Sequence, residues 1–135
     1  MKTIKNQIAK SIIAMTMILT SFAAVAADKP YEKEVQVGIN GVFVPGGFDS
    51  SSDAYVVVNG IFQNGCYKWS RAEVSNTDEY NHEIKSIASV TQGMCIMVLV
   101  PFQKDVRLGK LSSGKHNLKF LNGDGTYLER SLVVE

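Results

Sequence analysis

The sequence predicts an all-β fold, a two-sheet antiparallel sandwich of about seven or eight short strands. Apolar and polar residues alternate with a period of two along most of the chain, and no helical spacing persists for three turns. The candidate strands recur about every ten residues, and clusters of glycine, asparagine, serine and aspartate separate them. Such spacing without helices is typical of a sandwich.

Size and charge favour one domain. The chain has 135 residues, 45% of them hydrophobic and 20% charged. Three of its 14 basic residues lie within the first ten positions, so the remainder is slightly acidic, because it holds all 13 acids. Nucleic-acid binding usually needs a basic stripe, and we therefore expect no nucleic-acid partner.

The first 27 residues have the order of a secretory signal peptide. Lysines precede an apolar run over residues 12–22, and small residues crowd together over residues 23–27. The run is shorter than the roughly 20 residues that a membrane-spanning helix needs. We expect cleavage after Ala27 or Ala26, which leaves residues 28–135 as a single domain, periplasmic or secreted, with no membrane insertion after cleavage.

The first half of that domain begins with two alternating segments, residues 35–39 and 42–44, which the Pro-Gly-Gly segment 45–47 ends. A polar loop rich in serine follows over residues 49–53. The run 55–62 is β-branched and aromatic at both parities. We therefore expect this strand to be central or covered on both sides.

The middle of the chain predicts a strand over residues 66–74, a polar link over residues 76–82 and a less regular strand over residues 84–90. The run 94–100 is predicted to be a further strand that is apolar on both faces, so it is either core or a contact surface. Pro101 is expected to end it.

The last third alternates most cleanly. A strand over residues 102–109 leads to a turn at 111–114, and residues 116–120 form an amphipathic strand. Residues 122–125 provide the glycines of a hairpin loop, and residues 126–134 form the closing strand.

The two cysteines, Cys66 and Cys95, are an even pair in a chain that is expected to be exported. We predict that they form a structural disulfide. Their separation of 29 positions gives a loop-closure contribution of about 3–4 kcal/mol. A redox-active pair is disfavoured, since the chain has no C-x-x-C motif.

The segment over residues 101–120 resembles immunoglobulin-like sandwiches of exported bacterial proteins. The positions that carry the resemblance are Pro101, Phe102, Val106, Leu108, Gly109, Leu111, Gly114, His116, Leu118 and Phe120. The similarity extends over about residues 54–135, and it implies an immunoglobulin-like fold that serves as a binding or spacer module. His116 stands where a tyrosine corner has its tyrosine, so an imidazole would make the corner hydrogen bond. The cysteine separation is also shorter than in antibody domains.

Catalytic and metal-binding patterns are weak, and we expect no enzyme activity, no cofactor and no metal. His82 is expected to be a solvated loop residue, and His116 a core or corner residue with one hydrogen bond. A blue-copper set around Cys95 is disfavoured, because no methionine follows His116. A calcium loop at residues 122–125 lacks the later glutamate.

Four residues are candidates for ligand or partner contact. Tyr67 and Trp69 offer aromatic faces to a sugar, and Lys115 and Lys119 lie on one exposed strand face. The alternative for the lysines is a solvated face that discourages edge pairing. Our leading hypothesis is a non-enzymatic module that contacts another protein of the envelope or extracellular space. A carbohydrate-binding module is the second, and a secreted hydrolase inhibitor that uses the loop at residues 45–53 is the third.

Overall fold

A computed structural model describes residues 31–135, and the predicted signal peptide lies outside these residues. Eight β-strands and no helix form the described chain, which confirms the all-β prediction. None of the described residues forms a helix with the length and hydropathy of a membrane span. The strands are β1 (Glu32–Val37), β2 (Gly41–Phe43), β3 (Asp53–Phe62), β4 (Tyr67–Asn76), β5 (Asn81–Thr91), β6 (Val100–Lys110), β7 (Gly114–Leu121) and β8 (Tyr127–Val134).

The larger sheet has five strands, and β5 is its centre. β4 pairs antiparallel along one side of β5. β1 and β7 share the other side, where β1 pairs antiparallel with residues 86–91 and β7 pairs parallel with residues 81–85. β8 lies beyond β7. The predicted two-sheet sandwich is present, but the β5–β7 pairing shows that its sheets are not antiparallel throughout.

The smaller sheet has the order β2-β3-β6. Ala54, Val56 and Val58 of β3 are buried, whereas Tyr55 and Ile61, at the alternate positions, stay exposed. The prediction that this strand is central is confirmed, and in the described chain only one of its faces is covered. The largest fully buried side chains between the sheets are Phe120, Ile84, Leu118, Leu132, His116, Val56 and Val58.

One side of the sandwich is closed by the chain itself. Phe48, in the segment after β2, forms a bridge with Val134, and the N–H of Glu135 donates to the Phe48 carbonyl at 2.8 Å. On the opposite side, β6 is an edge strand that pairs only with β3 in the described chain. Pro101 lies inside β6 instead of ending the preceding run, which an edge strand tolerates because it need not donate to a second neighbour.

The turn predictions hold at the last hairpin. The chain reverses over residues 122–125 between β7 and β8. Gly123 and Gly125 have φ values of +86° and +91°, in the region where a side chain would be strained. The glycines are therefore required by the backbone of this loop.

Candidate contact surface

The four most exposed large apolar side chains of the described residues lie in one loop. This segment, residues 93–99 between β5 and β6, is called the apolar loop below. Met94 is fully exposed, and Met97, Ile96 and Leu99 are 79%, 73% and 71% exposed. No charged residue occurs anywhere from Ser86 to Gln103. The loop is thus an uncharged, apolar protrusion.

The prediction of a strand over residues 94–100 is wrong. β5 ends at Thr91, and the Ile96 carbonyl accepts hydrogen bonds from the N–H groups of Gly65 and Val98 at 2.9 and 3.0 Å. The bond from Val98 closes a tight turn, and the bond from Gly65 ties the loop to the β3–β4 connection, so neither belongs to a strand pairing. The sequence left open whether this run is core or contact surface, and its exposure excludes the core.

The base of the apolar loop is held by a disulfide. Cys66 and Cys95 are bonded, with their Cα atoms 5.2 Å apart, so the predicted pairing is present in the structure. Cys66 is buried and lies immediately before β4, and Cys95 is half-buried. The loop is therefore anchored to the sandwich at its second apolar position while its other side chains point away.

An aromatic depression lies beside the loop, between the ends of β3, β4 and β6. Phe62 and Phe102 stack with ring centroids 4.3 Å apart, and Trp69 lies 5.7 Å from Phe102. Tyr67 stacks on Phe62 at 5.8 Å. The depression has a volume of about 450 Å³, and all four rings line it. Tyr67 and Trp69 thus combine a packing role with a half-exposed face.

A glycine makes this packing possible. A Cβ built at Gly60 would lie 2.5 Å from the Phe102 ring, closer than real Cβ contacts come. Gly60 interrupts an otherwise β-branched and aromatic run because the ring of Phe102 needs that space. Lys68 and Lys104 stand at the rim of the depression and give it a positive margin.

The four predicted contact residues lie in two separate places. Lys115 and Lys119 project from the outer face of β7, since the alternate residues of that strand are buried. The ammonium of Lys119 lies 4.1 Å from the ring centroid of Tyr127, a cation–π contact. Trp69 instead faces the smaller sheet through Phe102. The structure does not bring the lysines to the aromatic depression.

Both histidines are buried and hydrogen-bonded to each other. His82 in β5 is 3% exposed and His116 in β7 is 0% exposed. His82 Nε2 lies 2.8 Å from His116 Nδ1, across the parallel pairing of the two strands. The outer nitrogens are also occupied: His82 Nδ1 lies 2.6 Å from Asn76 Oδ1, and His116 Nε2 lies 2.6 Å from the Ser112 carbonyl. We call these two residues the histidine pair.

The prediction that His82 is a solvated loop residue is wrong. It lies on the same face of β5 as Ile84 and Ser86, which are also buried, so extending the period-two pattern back by one step would have placed it inside. The prediction that His116 is a core or corner residue is confirmed, because its imidazole is buried and bonds to the backbone four residues upstream, but the predicted single hydrogen bond is wrong. Its second bond, to His82, was not expected.

The surroundings of His82 favour its uncharged form. Burial lowers the pKa of His82 below its ordinary value, and nearby His116 lowers it further. The Asp78 carboxylate opposes these effects. The pKa of Asp78 is itself lowered, first by the side-chain hydrogen bond from Asn81 and then by the N–H of Tyr80. A fixed negative charge thus lies near the outer end of the pair.

Comparison with known families identifies the domain. A family model described as the ORF11 beta-sandwich domain matches residues 56–132, more than half of the chain. The chain belongs to the ORF11 beta-sandwich domain family. No curated protein and no solved structure gives a significant match. The matched residues of this ORF11 beta-sandwich domain contain the apolar loop, the aromatic depression and the histidine pair, whereas β1 and β2 lie before them.

The chemistry open to this ORF11 beta-sandwich domain follows from these groups. Among residues 31–135, no three His, Cys, Asp or Glu side chains cluster closely enough to hold a metal ion. Cys95 is bonded to Cys66 and offers no thiolate. Each ring nitrogen of the histidine pair already has a partner. Of these three features, the apolar loop and the aromatic depression are the ones that face outward.

Proposed function

We propose that this protein is an exported, non-enzymatic sandwich module that binds another protein of the envelope or extracellular space through its apolar loop. The proposal rests on a single observation: among the described residues, the four most exposed large apolar side chains all lie on one uncharged segment. Large exposed apolar patches on folded proteins mark interaction sites, because leaving them in water costs free energy that a partner recovers.

The construction of the loop supports a role in binding. The disulfide fixes the loop base, so less conformational freedom is lost when a partner covers it. Two of its exposed side chains, Met94 and Met97, are methionines, which adapt their shape to an irregular partner surface.

The order of the first 27 residues supports export, and a disulfide is compatible with an oxidising compartment. Expression in a secreting host tests this part of the proposal. The expected product begins at Asp28 or Ala27 and has no alkylatable thiol by intact-mass analysis. A product that keeps residues 1–27, or that carries two free thiols, would contradict export with cleavage.

The state of the histidine pair supports a non-enzymatic role. These are the only two histidines of the sequence. A histidine base must reach the proton that it removes, whereas both rings are buried and bonded to protein groups. None of the four ring nitrogens has a hydrogen-bond partner in the apolar loop or the aromatic depression.

Site-specific photo-crosslinking tests the contact surface. A benzophenone amino acid at Met97 reports contacts of the apolar loop, and the same group at Tyr127, which is 52% exposed on β8, is the matched control. We expect a defined protein adduct from position 97 in envelope or secreted fractions, and its loss when Leu99→Ser is added. Equal adducts from both positions, or adducts of lipid only, would overturn the proposal.

The aromatic depression supports a second candidate, glycan binding. Its half-exposed Tyr67 and Trp69 and the rim cations Lys68 and Lys104 suit an acidic sugar chain. A glycan array that compares the unaltered protein with Trp69→Phe and with Lys104→Ala tests it, with Tyr127→Phe as control. Binding that falls in the first two variants alone would support this function, and unchanged binding would exclude the depression.

A further inference from the structure

The histidine pair forms a chain of hydrogen bonds that begins and ends on oxygen. In order, the chain runs from Asn76 Oδ1 to His82, from His82 to His116, and from His116 to the Ser112 carbonyl, with distances of 2.6, 2.8 and 2.6 Å. A carbonyl oxygen only accepts hydrogen bonds. His116 Nε2 must therefore carry a hydrogen for Ser112, whatever the state of the rest of the chain.

The positions of the other ring hydrogens follow from this fixed donor at His116 Nε2. In neutral His116 the other nitrogen, Nδ1, is an acceptor, so Nε2 of His82 must donate to it. Neutral His82 then has a lone pair on Nδ1. It can bond to Asn76 only if the amide presents its NH₂ group, with the oxygen turned away.

A proton on His82 reverses only the hydrogen bond between His82 and Asn76. Protonated His82 donates from Nδ1 as well, and Asn76 must then present its oxygen, which is the orientation in the structure. No other hydrogen bond of the chain changes. A second proton, on Nδ1 of His116, would set two N–H groups against each other over a distance of 2.8 Å.

We propose that the histidine pair is a proton-linked latch between β5 and β7. It takes up a single proton, on Nδ1 of His82, and the amide of Asn76 turns over to accept the new hydrogen bond. The first proton is accommodated within the latch. The second breaks the bond between the rings and loosens the parallel pairing, which joins residues 81–85 to 117–121.

The surroundings fit uptake of a single proton. Asn76 is exposed, so the outer end of the chain has access to water, whereas the bond between the rings is buried. Asp78, in the turn after β4, is the carboxylate that favours the charge on His82. The ring of Tyr80 lies 5.0 Å from that of His116, and on β8 the residue opposite His116 is the uncharged Leu132.

Ring nitrogen NMR of the folded, oxidised protein tests the latch. At pH 8 we expect both rings to be neutral with their hydrogen on Nε2. As the pH falls to 4, we expect His82 alone to gain a proton, on Nδ1, while His116 keeps its form. The Asn76→Asp variant offers only acceptor oxygens and a negative charge, so its midpoint should rise by about one pH unit or more.

Ser75→Asp is the matched control, because it adds the same charge to an exposed neighbouring position of β4. We expect it to move the midpoint by less than half as much. The proposal is overturned if the rings titrate at two separate midpoints above pH 4, if His116 changes its protonated nitrogen, or if neither ring gains a proton. It is also overturned if both aspartate variants shift the midpoint equally.

Discussion

The histidine pair and the apolar loop depart from the usual placement of residues in opposite directions. The pair puts polar rings in the interior, and the loop puts apolar side chains in water. Every side-chain nitrogen of the pair has a partner within the fold, and no described buried side-chain nitrogen or oxygen lacks one. The loop side chains lie outside the core. The buried histidine pair is thus explained by its partners within the fold, whereas the exposed apolar loop points to a binding partner.

The same comparison separates structural from functional residues on physical grounds. A buried polar group that keeps its hydrogen bonds costs little, but it becomes expensive when one partner is removed. An exposed apolar group contributes almost nothing to folding, so its replacement leaves stability unchanged. Substitutions at the two regions should therefore give opposite results in folding and binding measurements.

Removal of the disulfide should have the largest effect. We expect Cys66→Ser combined with Cys95→Ser to lower the free energy of unfolding by about 3–4 kcal/mol, because the unfolded chain regains the freedom of a 29-residue loop. Urea unfolding measures the loss, and the unaltered protein under reducing conditions is the control. A loss below about 1 kcal/mol would show that the bond contributes little to the loop or to the fold.

Breaking the histidine pair should come next. His116→Leu leaves His82 Nε2 and the Ser112 carbonyl without partners, which we expect to cost about 2–4 kcal/mol in urea unfolding. Adding His82→Leu removes one of these orphaned groups, so the double variant should be less destabilised than the sum of the single variants. Additive losses would mean that the rings do not stabilise each other.

The pair should also make stability depend on pH above the range of the carboxylates. The folded pKa of His82 is lowered, so the unfolded chain binds more protons as the pH falls through the ordinary histidine value of 6.5. Stability is complete above that value and declines below it, with a slope of at most about 1.4 kcal/mol per pH unit for one proton. Unfolding measured from pH 7.5 to 5 should show the decline, and His82→Leu should make it shallower.

Below about pH 4.5 a different set of groups takes over. Glu34, Asp49, Asp78 and Asp124 have lowered pKa values because hydrogen bonds from neighbouring groups favour their charged forms, so their contribution is lost as the pH falls through those values. These groups do not titrate between pH 7.5 and 5. A decline in that range with the same slope in His82→Leu would assign it to another group.

The fold was predictable from local patterns, and the site was predictable only in part. Period-two alternation located the strands, and glycine clusters located turns such as the one at residues 122–125. The parallel β5–β7 pairing was not predictable, because no local pattern specifies which strands become neighbours. It is this pairing that brings His82 to His116, so the histidine pair was missed as well.

The run 94–100 was misjudged for a related reason. An apolar segment at both parities has the same pattern whether it is a buried strand or an exposed loop. Its environment is decided by whether another strand covers it, and in the described chain none does. The turn bonds at Ile96 show how the backbone satisfies part of its hydrogen bonding without a sheet.

Substitution in the apolar loop should have the smallest effect on folding. We expect Ile96→Ser with Leu99→Ser to change the free energy of unfolding by less than about 0.5 kcal/mol, since neither side chain is buried. The matched control is Val133→Ser, on the exposed face of β8. Only the loop variant should lose the crosslinked partner. If it unfolds more easily than the control, the loop packs against the sandwich in solution, and its exposed area no longer calls for a partner.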